Sequence, residues 1–330
     1  AAAAAGSKAP ELQRLRRVSA GSIIRVVVPA IALFVLISAA GDLDWDAFAH
    51  QLAEATWWLV ALGVVAAQVP RVTQAVSTLG ASPVPLPLGP VYALQLAVSY
   101  INLAIPGSAA RMAINVRFFQ RYGVPAGTAL AVGALDGFSG FIVQAILFVS
   151  LLLFTSASLE LDLDSGTAGH AARILLIVVI IAVVAIVAVM AVAKWRRFVF
   201  GWVRRLVHEA GQALRGLQSP RRLGLLFGGN LATEILFAAA LGVFTRAVGY
   251  PIGLGELLFI NISVSLLAGL LPIPGGIGVA EGALVFSLVH AGMSEEAAFA
   301  ATMMYRLSNF YLPPIWGYFA MKWLQRTNRL

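Results

Sequence analysis

Ile174 to Ala193 reads ILLIVVIIAVVAIVAVMAVA, an apolar run without a single polar side chain. About 20 residues of helix cross a hydrocarbon core ~30 Å thick, so this run predicts a transmembrane helix. The rest of the chain has the same character. Of its 330 residues 60% are apolar and 12% charged, against about 45–50% and about 25% in soluble globular proteins. A soluble enzyme of this size is excluded, and so is a disordered chain, whose composition would be the reverse. The sequence predicts an all-α, polytopic membrane protein.

The net charge of +8 reports topology first, because Lys and Arg collect in cytoplasmic loops; no nucleic-acid partner is expected. Cysteine is absent, which removes disulfides, thiolate chemistry and Cys-ligated metals together. The four histidines, His50, His170, His208 and His290, never pair at metal-ligand spacing. No P-loop, HExxH or GxSxG is present, and the GxG within GGIGVAEG follows no soluble strand. No metal, cofactor or catalytic centre is therefore expected, and the chain is not read as an enzyme. Abundant Ala, Gly and Val, with Arg far ahead of Lys, suggest a high-GC bacterial source and hence the cytoplasmic membrane. Residues 1–7, AAAAAGS, lack a Met, read as extraneous and are set aside.

Working outward from the quoted run, charge sets the sides. Residues 1–21 form a basic cytoplasmic arm with Lys8, Arg14, Arg16 and Arg17, and the membrane domain is expected over 22–323. A first span at 22–40 leads to an outside stretch holding Asp42, Asp44, Asp46 and Glu54. Trp57 and Trp58 mark an interface before a second span to about Leu79, and the Pro-rich SPVPLPLGP ends it. A span at 125–154 precedes an acidic loop with Glu160, Asp162 and Asp164. The 172–193 span enters the most basic segment, 194–222, read as an amphipathic helix on the cytoplasmic leaflet. Spans at 223–246 and 295–323 follow, then a basic tail at 324–330, with both termini cytoplasmic.

Two segments remain, 88–122 and 256–292, and they resemble each other. Ile105-Pro106-Gly107 recurs as Ile273-Pro274-Gly275, Gly123 recurs as Gly292, and a long span follows each copy. The sides set by charge hold only if 88–122 starts and ends inside and 256–292 starts and ends outside. A re-entrant hairpin broken at Pro-Gly satisfies this; so does a pair of complete crossings. The expectation is about six full spans plus two broken hairpins, with repeat one at 57–155 and repeat two at 223–323 in opposite orientation. Transporters built on such inverted repeats bind at the breaks.

The breaks supply the first candidate site: Pro106, Gly107 and Ser108, with Pro274, Gly275 and Gly276. Each starts a short helix whose free N–H groups favour an anion; the alternative is a simple turn with Ser108 as N-cap. Arg111 would meet a phosphate bidentately, or else snorkel to the interface. Arg306 falls deep in the last span, where ionisable groups imply a pathway or a pair. Asp136 lies at the equivalent depth after repeat one, so an Asp136–Arg306 pair competes with a transport role. Glu281 falls in the first turn after the second break, where the helix dipole favours it anyway. Glu234 is a proton site or the partner of an arginine, and Arg71, nearer the cytoplasmic end, reads as a snorkelling residue. GxxxG at Gly133/Gly137, Gly224/Gly228 and Gly278/Gly282 predicts close helix packing.

LLPIPGGIGVAEG, followed by Gly292, Tyr305-Arg306 and Pro313, resembles the signature of the lysylphosphatidylglycerol synthase/flippase membrane-domain family. NLAIPGSAARMAINVRFFQRYGV looks like that family's upstream block, with Ala109-Ala110-Arg111 where members often carry Gly-Glu. The resemblance implies a stand-alone membrane domain, without an aminoacyl transferase, that moves a lipid between leaflets. It implies an anionic, aminoacylated or polyprenyl-phosphate-linked lipid as substrate, for which Arg111, Arg306, the two breaks and Glu281 are the binding candidates already named from the residues. The competing readings are a non-transporting scaffold for a lipid-modifying enzyme or glycosyltransferase, and a secondary transporter of a small solute.

Overall fold

The computed structural model describes residues 45–104, 108–158, 219–270 and 274–330. The basic arm at 8–21, the spans at 22–40 and 172–193, the acidic loop at Glu160 to Asp164 and nearly all of the basic 194–222 segment lie outside the described residues, as do Pro106 and Gly107.

Every regular element among the described residues is helical. Helix α1 is Trp45–Ala53, α2 Trp57–Ala66, α3 Pro70–Ala81, α4 Leu88–Ala104, α5 Ser108–Arg121 and α6 Ala126–Ser158. The second half gives α7 Pro220–Ala247, α8 Leu254–Leu270, a 3-10 turn at Pro274–Gly276, α9 Val279–His290, α10 Glu295–Arg306, a π turn at Leu307–Tyr311 and α11 Pro313–Arg326. Trp57–Ala81, Ala126–Leu153 and Pro220–Ala247 are long and apolar enough to cross a membrane; Leu254–Gly269 and Val279–His290 are shorter apolar helices.

Proline and glycine explain the interruptions. Pro70, without an N–H, opens α3 and divides it from α2. Gly275 and Gly276 both lie at positive φ, +65° and +64°, a conformation glycine adopts without a Cβ clash, and so reverse the chain ahead of α9. Within the expected span at 295–323 the helix passes through a π turn at Leu307–Tyr311. Pro313 and Pro314 cannot donate to the carbonyls of Asn309 and Phe310, and Leu312 N–H reaches back to Leu307 O instead of Ser308 O.

Helices α3 and α7 form one tight seam and α4 and α11 another. In lipid such seams rest on close van der Waals packing, which small residues permit. A methyl added at Gly229 would lie 2.6 Å from Ser77 N, and one at Gly80 2.8 Å from Arg222 O. Thr73 meets Thr233 and Ser77 meets Gly229, while Gly80 meets Leu226, so α3 and α7 run antiparallel. Gly317 sits against the Leu96 carbonyl in the same manner. The GxxxG pairs correct the expectation: methyls added at Gly133, Gly137, Gly224, Gly228 and Gly282 meet nothing within 4 Å.

Two apolar cores result. One gathers α2, the second half of α7, α8, α9 and α10 around Phe244, Leu241, Ile262 and Leu288. The other gathers α3 to α6, the start of α7 and α11 around Phe118, Phe119, Leu94 and Leu226. On each long helix the polar residues fall between the two: Gln68 to Gln74 beyond α2, Asp136 to Gln144 on α6, and Asn230 to Glu234 on α7.

Candidate functional site

A cavity of about 800 Å³ occupies this polar band. Its wall takes residues from α3 to α8, the Gly275 turn, α9, α10 and the π turn. Asp136 on α6 accepts hydrogen bonds from the Ser77 and Thr78 hydroxyls of α3, the latter at 2.7 Å. Asn230 bridges Ser77 at 2.6 Å and Ser139 at 3.0 Å. One turn further along α7, Glu234 accepts from Gln144 Nε2 at 2.8 Å. Its second oxygen is buried without a partner. Asn230 and Glu234 thus meet α6 in ascending order, so α6 and α7 run in the same direction along this wall.

Arg306 and Arg71 line the same cavity. Arg306 Nε donates to Glu281 Oε1 at 2.7 Å and its Nη2 to Gly275 O at 3.2 Å, and the guanidinium lies 4.3 Å from the Phe310 ring centroid. Glu281, only 2% exposed, also accepts from Gly278 N–H at 2.7 Å and from the Tyr311 hydroxyl at 3.2 Å. The Asp136–Arg306 pair, one of the two readings of these residues, is not formed: Asp136 is held by hydroxyls and Arg306 by Glu281. The anion favoured at the start of α9 is the chain's own carboxylate. Gly275 faces the cavity, Gly276 packs on Ala268, and Ser108 opens α5.

Arg71 was expected to snorkel and does not. Its Nη2 donates to Asn309 O at 2.7 Å, its Nη1 to Gln74 Oε1 at 3.2 Å, and it faces Phe237 at 5.6 Å. Gln68 Nε2 donates to Ser308 O at 2.7 Å. These two side chains take up the carbonyls that the π turn and Pro313 set free. The signal was present in the sequence as Pro313-Pro314, which obliges upstream carbonyls to find other donors. Arg111, by contrast, is exposed on α5 at the cavity mouth, with no side-chain partner among the described residues. Beside it on the same rim Met112, Leu130 and Phe141 are 51%, 43% and 57% exposed.

The arrangement offers arginine donors, two carboxylates outside any ion pair among the described residues and many neutral amides around one open-sided cavity. No group of three or more metal-ligating side chains occurs among the described residues. Among curated proteins none matches the chain. The model of the family described as "Lysylphosphatidylglycerol synthase TM region" matches residues 22–317, and the chain belongs to that family.

Proposed function

We propose that this chain moves a lipid with a polar headgroup between the leaflets of a bacterial cytoplasmic membrane, without covalent chemistry. The family gives it a lipid-related role in the membrane. The observation that carries the finer reading is the cavity, polar along its walls and apolar at its exposed rim, amid helices apolar enough to cross a bilayer. Taking one ion from water to ε ≈ 4 costs on the order of 20 kcal/mol in the idealised limit, so a charged headgroup does not cross unaided. Polar walls would replace that hydration, while Met112, Leu130 and Phe141 leave the acyl chains in lipid. A carrier for a soluble solute has no use for an apolar rim.

The two halves support an alternating mechanism. We read 57–155 and 223–323 as copies of opposite orientation, each holding a broken re-entrant hairpin. Gly123 and Gly292 follow α5 and α9 at φ +80° and +93°. Helices α3 and α7 pack antiparallel, as the first spans of two copies of opposite orientation would. Rocking one copy against the other would expose the cavity to each leaflet in turn.

The test is a vesicle assay with tail-labelled anionic, aminoacylated and polyprenyl-phosphate lipids, read by quenching of the outer leaflet. At least one probe is expected to cross faster than in protein-free vesicles. Protein-free rates for all three overturn the reading, and a glycosyltransferase co-purifying in that case would favour the scaffold.

A further inference from the structure

Glu234 differs from the other buried acids of the cavity in what its charge lacks. An ionised carboxylate offers about four lone-pair sites and no proton of its own. Glu281 fills its sites from Arg306, Gly278 N–H and Tyr311. Asp136 receives one hydroxyl on each oxygen, from Ser77 and from Thr78. Glu234, 9% exposed, has only Gln144 on one oxygen, at 2.8 Å, and its other oxygen is buried without a partner. Among the described residues it forms no ion pair. A buried carboxylate left so bare is costly and neutralises by binding a proton. Acids at such depth are the usual stations of proton pathways.

The surroundings favour a proton over a metal cation. Helix α7 packs on α2, α3, α6, α8 and α10. Helix α2 has no titratable side chain, α8 only Glu256 in its first turn, and α7 itself keeps Arg221, Arg222 and Arg246 at its ends. Helix α6 brings Asp136, and α10 brings Tyr305 and Arg306, with Glu295 and Glu296 in its first turn. Arg306 is spent on Glu281, which leaves Arg71 of α3. Arg71 faces Phe237, one turn along α7 from Glu234, and its Nε is buried without a partner. The Thr73–Thr233 contact at 2.6 Å holds this level of α3 beside Glu234. A guanidinium there repels a metal cation, which needs several oxygens, whereas a proton needs one. We infer that Glu234 is a proton-binding site that couples the movement of the cavity's cargo to a proton. The proton passes from water on one side to Glu234 Oε2 and leaves to water on the other. With it bound, Arg71 rests on Asn309 O at 2.7 Å; without it, the carboxylate draws Arg71 Nε and loosens the π turn. The coupling rests on reading the chain as a lipid translocase; the proton site does not.

Two measurements on the protein in vesicles test this. Dicyclohexylcarbodiimide adds to a protonated buried carboxyl, without a leaving group, to give a stable N-acylurea that peptide mass spectrometry locates. An adduct is expected at Glu234 and not at Glu281, with a yield that falls as the pH is raised. The tail-labelled lipids are then followed across an imposed pH difference. One proton per lipid makes a difference of one pH unit worth about 10-fold in the distribution between leaflets. Glu234→Gln, which keeps the shape of the protonated acid, should fold, move lipid and lose this skew. No adduct at Glu234, equal labelling of Glu281, a skew that survives Glu234→Gln, or one driven by sodium instead overturns the inference. Lipid movement indifferent to pH overturns the coupling and leaves translocation standing. An adduct at Glu234 with no lipid movement overturns translocation, and the coupling with it, and leaves the proton site standing.

Discussion

Arg306 and Glu281 form a buried ion pair, Nε to Oε1 at 2.7 Å, that ties the last turn of α10 to the first turn of α9. Glu281 is saturated by Arg306, Gly278 N–H and Tyr311, so the pair fixes the turn after the second break. Removing one partner of such a pair costs about 3–5 kcal/mol, because the other charge stays buried alone. Arg306→Ala and Glu281→Ala are each expected to lower the melting temperature in detergent sharply. The double variant Arg306→Met/Glu281→Leu should recover most of that loss. Equal loss in the single and double variants would show that packing, not charge pairing, holds the turn.

Arg71 stabilises the π turn by accepting the role of a missing helical donor. Pro313 leaves Asn309 O without its N–H partner, and Arg71 Nη2 reaches it at 2.7 Å. An unsatisfied buried carbonyl costs about 1–3 kcal/mol, so Arg71→Met should destabilise by that order. Pro313→Ala restores a main-chain donor, and Arg71→Met in that background should cost less. Thermal melts of the four proteins in the cycle measure the coupling; strict additivity would detach Arg71 from the turn.

The spans were legible because apolar length alone announces them, and Trp57–Ala81, Ala126–Leu153 and Pro220–Ala247 stand close to where composition puts them. The break at Pro274–Gly276 was legible from Pro-Gly in an apolar run. Partners were not. Arg306 and Glu281 each stand out as charges in lipid, yet only the glycine turn at 275 and 276 decides that they meet, which leaves Asp136 to the hydroxyls of Ser77 and Thr78. Depth counted along a straight span also hid Arg71, whose place depends on the interruption at Pro70 and on a carbonyl freed some 238 positions later. GxxxG spacing names a helix face without naming what it faces. Gly133 and Gly137 turn out to line the cavity, and the seam is made by Gly80 and Gly229.

That difference among glycines gives a contrast within one residue type. A side chain at Gly229 runs into the Ser77 backbone at 2.6 Å, and backbone on α3 has nowhere to move. Gly229→Val should abolish a monodisperse, folded preparation. Gly137→Ala meets open space and removes a helix-weakening glycine, for a gain of up to about 1 kcal/mol. Size-exclusion profiles and melting temperatures of the two variants decide it, and similar behaviour of both would place the α3–α7 seam elsewhere.

Arg111 separates binding from stability. It is exposed at the cavity mouth, and its side chain has no partner among the described residues, so the fold loses nothing measurable with it. Charge-assisted bonds to a phosphate are about twice as strong as neutral ones, and a guanidinium makes them in pairs. Arg111→Gln should therefore leave the melting temperature within about 1 °C of the parent, since surface changes stay within about 0.5 kcal/mol. Translocation of a phosphate-bearing lipid should fall at least several-fold in the same preparation, and Arg111→Lys should restore part of it. An unchanged rate in Arg111→Gln would move the phosphate away from the mouth and toward Arg71 on the inner wall.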